Sequence, residues 1–315
     1  MEQNFVENFK LNSQLNKMLT AIRKKNSAIR PSAKGSYSFC YPYKGFVILK
    51  NIHKYPLGYD AEQMESRFEE RKQKFNFLKE KYGINIAEHY CCYAGKYRFY
   101  TIQERLPGEI LSVHYPSTAR SIARGRNADG EYTVHDNNDH RAFGETQRMH
   151  EFDENELSSA EYFNVSRAVS VRNNLMLKQL KAADQSVFDK FVRDFKLLIE
   201  NGVSIDSSLS ENFLFDKKKG FSFVDLDFYP EGYRMPTDGD IAQKVFDSFQ
   251  DFSRYKHPDY EKANSTGAMI VRGKLLKAIK NNHFQLTPEE LLMFERMCGA
   301  NVASYNKKLE SIFKY

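Results

Sequence analysis

Cysteine is scarce, and the four residues present, Cys40, the adjacent pair Cys91 and Cys92, and Cys298, fit neither a disulfide framework nor the spacing of a zinc site. They read as reduced thiols of a cytosolic protein. No stretch approaches the roughly 18 consecutive apolar residues of a membrane span. The opening Met1–Asn8 lacks the basic, apolar and small-residue regions of a signal peptide, so cytoplasmic residence without a membrane is expected, with delivery as an effector left open. There is no internal repeat and no basic stripe interleaved with aromatics, which sets aside a nucleic-acid platform. The charge excess is small: 47 Lys and Arg against 41 Asp and Glu give a net +6. Much of it lies in runs such as Glu69-Glu70-Arg71-Lys72, the pattern of a solvated helix face. What the chain does have is 315 residues with 41% hydrophobic and 14% aromatic content, enough to bury a large core in two lobes.

Leu11, Leu15, Met18, Leu19 and Ile22 fall at helical spacing and predict an amphipathic helix that packs on the first lobe. Ser36 to Ile52 is rich in aromatic and β-branched residues, interrupted at Pro42 and Lys44-Gly45, and predicts strands about a tight turn. From Asp60 to Tyr82 a stripe of Met64, Phe68, Phe75, Phe77 and Leu78 predicts a long helix stopped by Gly83. Strands are expected around residues 88–92 and 97–104, and Leu106-Pro107-Gly108 marks the junction between lobes. Residues 114–160 form a polar insertion or lid. Val187, Phe191, Phe195 and Leu198 restore helical periodicity, and further helices are expected at residues 240–252 and 288–298.

The densest chemistry follows Gly202. Two short apolar strands, Phe213 to Phe215 and Phe221 to Val224, flank a turn ending in Gly220, with Asn212 before the first and Asp225 after the second. A hairpin brings those ends together, and an amide oxygen with a carboxylate suits Mg2+, which prefers hard oxygen ligands and leaves positions for phosphate and water. Earlier, Ala33-Lys34-Gly35-Ser36-Tyr37-Ser38 offers small residues where a strand-turn-strand lays its backbone over phosphates. Lys50 ends the apolar strand Phe46–Leu49, either to meet an anion or to snorkel to solvent. Taken one at a time, Asp206, Asn212 and Asp225 also suit turn and cap positions.

In this order the parts resemble the protein kinase superfamily, including its bacterial small-molecule and effector branches, over residues 30–250. The resemblance implies an α+β, bilobal fold: a helical extension over 1–29, a small antiparallel β-sheet lobe over 30–105, and a mainly helical lobe over 106–315 carrying the insertion. It implies ATP and Mg2+ as cofactors. Gly35, Ser36 and Ser38 would clamp phosphates, and Lys50 would hold the α- and β-phosphates while paired with Glu69, or with Glu65 or Glu70. Glu104 to Leu106 would meet adenine. Asn212 and Asp225, joined by Asp227, would bind the metal, and Asp206 would orient the attacking hydroxyl. Asp240 resembles the buried aspartate that opens a central helix and holds the catalytic loop.

The sequence also departs from the pattern. Asp206 and Asn212 are one residue further apart than usual, so strict register selects Ser207; Ser204-Ile205 replaces His-Arg; Asp227 replaces a glycine; Ala33 replaces the first loop glycine. The activation segment is nearly absent, since Phe228 to Thr237 leads straight to the next helix. Protein hydroxyls are the first expected acceptor, a small alcohol, sugar or aminoglycoside the second, and a nucleotide-binding pseudokinase the third reading. His114, His135, His140 and His150 lack metal-helix spacing and read as loop residues, and Arg120, Arg124 and Arg126 as a solvated basic loop.

Overall fold

The computed structural model describes residues 13–23, 33–34, 38–43, 45–51, 60–94, 99–111, 123–126, 132–135, 172–207, 212–249 and 261–298. The chain divides into two compact units, Met1–Leu106 with Tyr115–Val165, and Pro107–His114 with Ser166–Tyr315. Both mix helices with small antiparallel sheets. No described helix is long and apolar enough to cross a membrane.

The first unit is built on a five-stranded sheet in the order β1-β2-β3-β5-β4. These strands are β1 (Ala33–Lys34), β2 (Ser38–Tyr43), β3 (Phe46–Asn51), β4 (His89–Ala94) and β5 (Phe99–Glu104). Register aligns Phe39 and Tyr100 with Lys50, and Tyr41 and Ile102 with Ile48. Residues directly opposite in a pleated sheet share a face, so Lys50 projects from the same side as Ile48 and Ile102. Helix α1 (Ser13–Arg23) closes that face by burying Leu19 and Ile22 against Tyr41, Ile48, Tyr100 and Ile102.

Helix α2 (Ala61–Tyr82) starts at a reciprocal capping box between Asp60 and Gln63 and stops at Gly83, whose φ of 64° and N–H bond to the Lys79 carbonyl close the last turn. Its buried stripe is Phe68, Phe75 and Leu78, whereas Phe77, expected in that stripe, is exposed because it lies two residues from Phe75 and so points off the face. The Phe68 and Phe75 rings sit 6.0 and 5.3 Å from His89. His89 pairs across strands with Gln103, out of phase with Ile102, and α2 therefore covers the face opposite α1. Two further strands, β7 (Ala123–Arg126) and β8 (Tyr132–His135), form an antiparallel hairpin, and the rest of the expected 114–160 insertion, with His114, His140, His150 and Arg120, lies outside the described residues.

In the second unit, α3 (Gln185–Glu200) buries Phe188, Phe191, Phe195 and Leu198 on one side, as its 3.6-residue period requires. Asn201 and Gly202, with φ 81°, turn the chain into β9 (Val203–Ser204). Strands β10 (Phe213–Asp216) and β11 (Gly220–Phe223) form a hairpin whose inward phenylalanines meet α3. Phe191 lies 4.6 Å from Phe221, 5.4 Å from Phe223 and 5.8 Å from Phe213, a cluster that dominates this core. β6 (Glu109–Ile110) adds a third strand to β10, and the approach leaves no room at Gly108, where a Cβ would stand 2.8 Å from the Phe215 carbonyl. Beyond β12 (Asp227–Phe228) come α4 (Asp238–Asp247), α5 (Glu261–Asn281) and α6 (Pro288–Met297), with residues 172–182 also helical.

Candidate functional site

The residues singled out after Gly202 meet at one end of the β10–β11 hairpin. Its tip is fixed by Asp216, whose Oδ1 accepts from the Lys218 and Lys219 amides at 2.8 Å each. Those two bonds hold the Asp216 carboxyl below the usual range. Cross-strand pairing then runs from Asp216 and Gly220 to Phe213 and Phe223, and one bond further, from the Val224 amide to the Asn212 carbonyl at 3.0 Å. Asn212 and Asp225 are therefore neighbours at the open end. The Asn212 side chain is buried, and its Nδ2 donates to the Asp206 carbonyl at 3.1 Å. That bond sets the amide nitrogen toward the Asp206 backbone and the oxygen away from it.

A second pairing draws in the remaining carboxylates. β12 runs antiparallel to β9, with Asp227 opposite Ser204 and Phe228 opposite Val203. Asp206 stands two residues beyond β9, exposed, while Ser207 beside it is buried. Of the two positions that the sequence left open, Asp206 has the accessible side chain. Asp227 is exposed and accepts from the Phe228 amide at 2.9 Å. Asp225 has φ 53°, in the left-handed region that favours glycine, a conformation held against a cost of order 1–3 kcal/mol.

Among the described residues no three His, Cys, Asp or Glu side chains converge on a metal position. An Mg2+ site here would rest on the Asn212 oxygen and the Asp225 carboxylate, with phosphate and water completing the shell, which is the donor set Mg2+ accepts.

The candidates in the first unit are arranged differently. Lys50 is half-buried with Nζ 6.0 Å from the Phe39 ring centre, on the α1 side of the sheet. Glu69 lies on α2 across the sheet, where it pairs with Lys72 at 3.5 Å, and Glu65 and Glu70 are exposed on the same helix. Register does not bring Lys50 and Glu69 together. Glu104 ends β5 with its carboxylate bonded to Lys79 of α2 and, at 3.2 Å, to the Glu88 amide. The Glu104 and Arg105 amides donate to the Glu88 and Gly45 carbonyls, and Leu106 follows, half-buried. Ser38 Oγ donates to Asn51 Oδ1 at 3.3 Å, and Gly35 and Ser36 lie outside the described residues. Sequence reasoning missed the Lys79–Glu104 pair, because its partners are far apart in the chain and each looks like an ordinary surface charge.

Asp240, expected to be buried, is exposed. It is the third helical residue of α4 and closes a capping box with Thr237, accepting from both the Thr237 amide and hydroxyl at 2.8 Å. These bonds hold its carboxyl below the usual range. The more enclosed acid is Asp238, which accepts from Lys196 at 2.9 Å and the Gln285 amide at 2.7 Å.

No protein-family model and no curated protein matches the chain. Solved structures similar to it include chains of the bifunctional kinase-methyltransferase WbdD. One covers 84% of this chain and 47% of its own at 13% identity and a TM-score of 0.34. A co-crystal of WbdD with the kinase inhibitor LY294002 covers 82% and 46% at 13% identity and a TM-score of 0.33. A further WbdD structure covers 84% and 48% at 14% identity and a TM-score of 0.30. The chain spans about half the length of these proteins.

Proposed function

We propose that this chain is an ATP- and Mg2+-dependent phosphotransferase of bilobal, protein-kinase-like fold that acts on a hydroxyl. The observation that carries the reading is the convergence of Asp206, Asn212 and Asp225 at the open end of one hairpin, with Asp225 held at φ 53°. Strained backbone clusters at functional sites, and at Asp225 it lies beside the other candidate metal ligand, Asn212. In this mechanism Asn212 and Asp225 would hold the metal, which would offset phosphate charge, and Asp206 would accept the proton of the attacking hydroxyl. Catalysis is then chiefly positioning and charge stabilisation. Lys50 as the phosphate cation enters through the resemblance alone.

The short segment from Phe228 to Thr237 favours a small acceptor over the protein hydroxyl first expected, since a peptide normally lies along a longer segment at that position.

The test is ATP consumption by purified protein with Mg2+, following both ADP and intact protein mass. Asp225→Asn is expected to lower turnover by roughly a hundredfold or more, and Lys50→Ala decides whether that lysine serves the phosphates. A mass gain per phosphate returns the acceptor to protein. ATP protection against thermal unfolding without turnover establishes a pseudokinase; neither turnover nor protection ends the nucleotide reading.

A further inference from the structure

One end of the second unit is rich in lysine and poor in acids, and the mechanism above does not use it. The turn of the β10–β11 hairpin carries Lys217, Lys218 and Lys219, all exposed. The helix over residues 172–182 adds exposed Lys178 and Lys181, with Leu175, 54% exposed, one turn before Lys178 on the same face. α5 runs alongside that helix: Gly267 lies against Leu177, a Cβ there would stand 3.5 Å from Lys181 Cδ, and Lys274 donates to the Lys181 carbonyl at 2.7 Å. Ile270, 40% exposed, and Lys277, also exposed, fall at helical spacing on the stripe that holds Gly267 and Lys274. Short contacts tie this helix pair to the hairpin. Lys274 Nζ stands 5.4 Å from the Phe188 ring centre, Phe188 lies 5.5 Å from Phe221, and a Cβ at Gly220 would stand 3.4 Å from Val187 Cγ1 in the first turn of α3. The acids of this end are exposed Asp184, Asp189, which accepts from Gln185 and Asn281 at 3.0 Å each, and Asp216, held in the hairpin turn. Between Gly267 and Asn281, α5 has none.

We propose that this end of the second unit docks on an anionic lipid membrane. Six exposed lysines accompany two exposed aliphatic side chains, and the two kinds of residue answer the two layers of a bilayer surface. Lysine ammonium groups are attracted to a plane of anionic headgroups without needing a fixed partner geometry, while Leu175 and Ile270 reach the apolar boundary beneath. The composition favours lipid over the other polyanions. Single-stranded nucleic acid is held by aromatic rings on which bases stack, and protein interfaces are enriched in aromatics and arginine and depleted in lysine. The exposed side chains that make up this surface include neither an aromatic nor an arginine. The absence of a spanning helix among the described residues does not bear on it, because such a surface lies on the bilayer and not across it. The surface belongs to the second unit alone and does not depend on the phosphotransferase reading.

The test is co-sedimentation of the full chain with vesicles, either of phosphatidylcholine alone or of phosphatidylcholine mixed with phosphatidylserine. Binding is expected to the mixed vesicles only, and to weaken as salt is raised. Replacing Lys217, Lys218 and Lys219 together by alanine is expected to weaken it about a hundredfold. The same loss of charge in the first unit, Lys17→Ala with Lys74→Ala and Lys81→Ala, is expected to change it less than about twofold. Leu175→Ser with Ile270→Ser keeps every charge and is expected to weaken binding about tenfold through lost apolar contact. Unchanged thermal melts confirm that each variant is folded. No binding to the mixed vesicles overturns the proposal, as does an equal loss in the first-unit control, which would reduce the effect to net charge. Binding that Leu175→Ser with Ile270→Ser leaves intact, and that a single-stranded oligonucleotide abolishes by competition, overturns it in favour of a nucleic-acid surface.

Discussion

Two residues other than glycine share φ 53°, Asp225 and His283, and they make a matched pair. His283 follows the end of α5 and is exposed, so His283→Gly is expected to raise stability by about 1 kcal/mol without touching nucleotide binding. Asp225→Gly relieves the same backbone strain at the proposed metal site. It is expected to keep or gain stability in denaturant melts while losing any thermal protection by Mg2+ and ATP. A loss of stability at Asp225 comparable to a core mutation would mark that aspartate as structural. His89 yields a pH prediction. Burial between Phe68 and Phe75 pushes it down to about 4 from its ordinary 6.5, helped by Arg71 and opposed by its bond to the Ala87 carbonyl. Between those values the unfolded chain binds the extra proton. Stability from neutral His89 is therefore fully present above pH 6.5 and falls by up to about 3 kcal/mol as pH drops toward 4. His89→Phe is expected to flatten that slope in urea melts taken across the range.

At the scale of elements, glycine decides where backbones approach. Gly108→Ala is expected to cost about 3 kcal/mol, because its φ of 106° and the 2.8 Å approach to the Phe215 backbone both exclude a Cβ. In α5, Gly267 lies against Leu177, and an added Cβ would stand 2.6 Å from Leu177 Cδ2. Gly267→Ala gains up to about 1 kcal/mol of helix propensity but overpacks a buried leucine, and a net loss of about 1 kcal/mol is expected by calorimetry. The same glycine explains why α5 was not legible in sequence. Asn264-Ser265-Thr266-Gly267 reads as a breaker, whereas the helix runs through it because Ala268, Val271, Leu275 and Ile279 are buried and the small residue admits a neighbour. The β10–β11 hairpin was legible because alternating phenylalanines, the Lys217-Lys218-Lys219 turn and Gly220, with φ 76°, all demand the same local conformation.

At the scale of the whole molecule, each unit has a core of its own, and their stabilities are expected to be separable. Phe191→Ala removes the ring at the centre of the second unit's aromatic cluster and is expected to cost about 3–5 kcal/mol there. The pH-dependent transition set by His89 in the first unit should stay in place, visible as two transitions in a calorimetric scan. By itself the sequence determined local matters: the helix stops, the hairpin, and the types of residue that gather around Gly202. These follow from backbone conformation and side-chain period, which neighbouring residues fix. Only the tertiary structure decided which faces those residues occupy. Strand register turned Lys50 toward α1 and away from the glutamates of α2, and pairing of β9 with β12 set Asp206 and Asp227 beside Asn212 and Asp225. Register depends on contacts between residues far apart in the chain, and a shift of one residue moves a side chain to the opposite face.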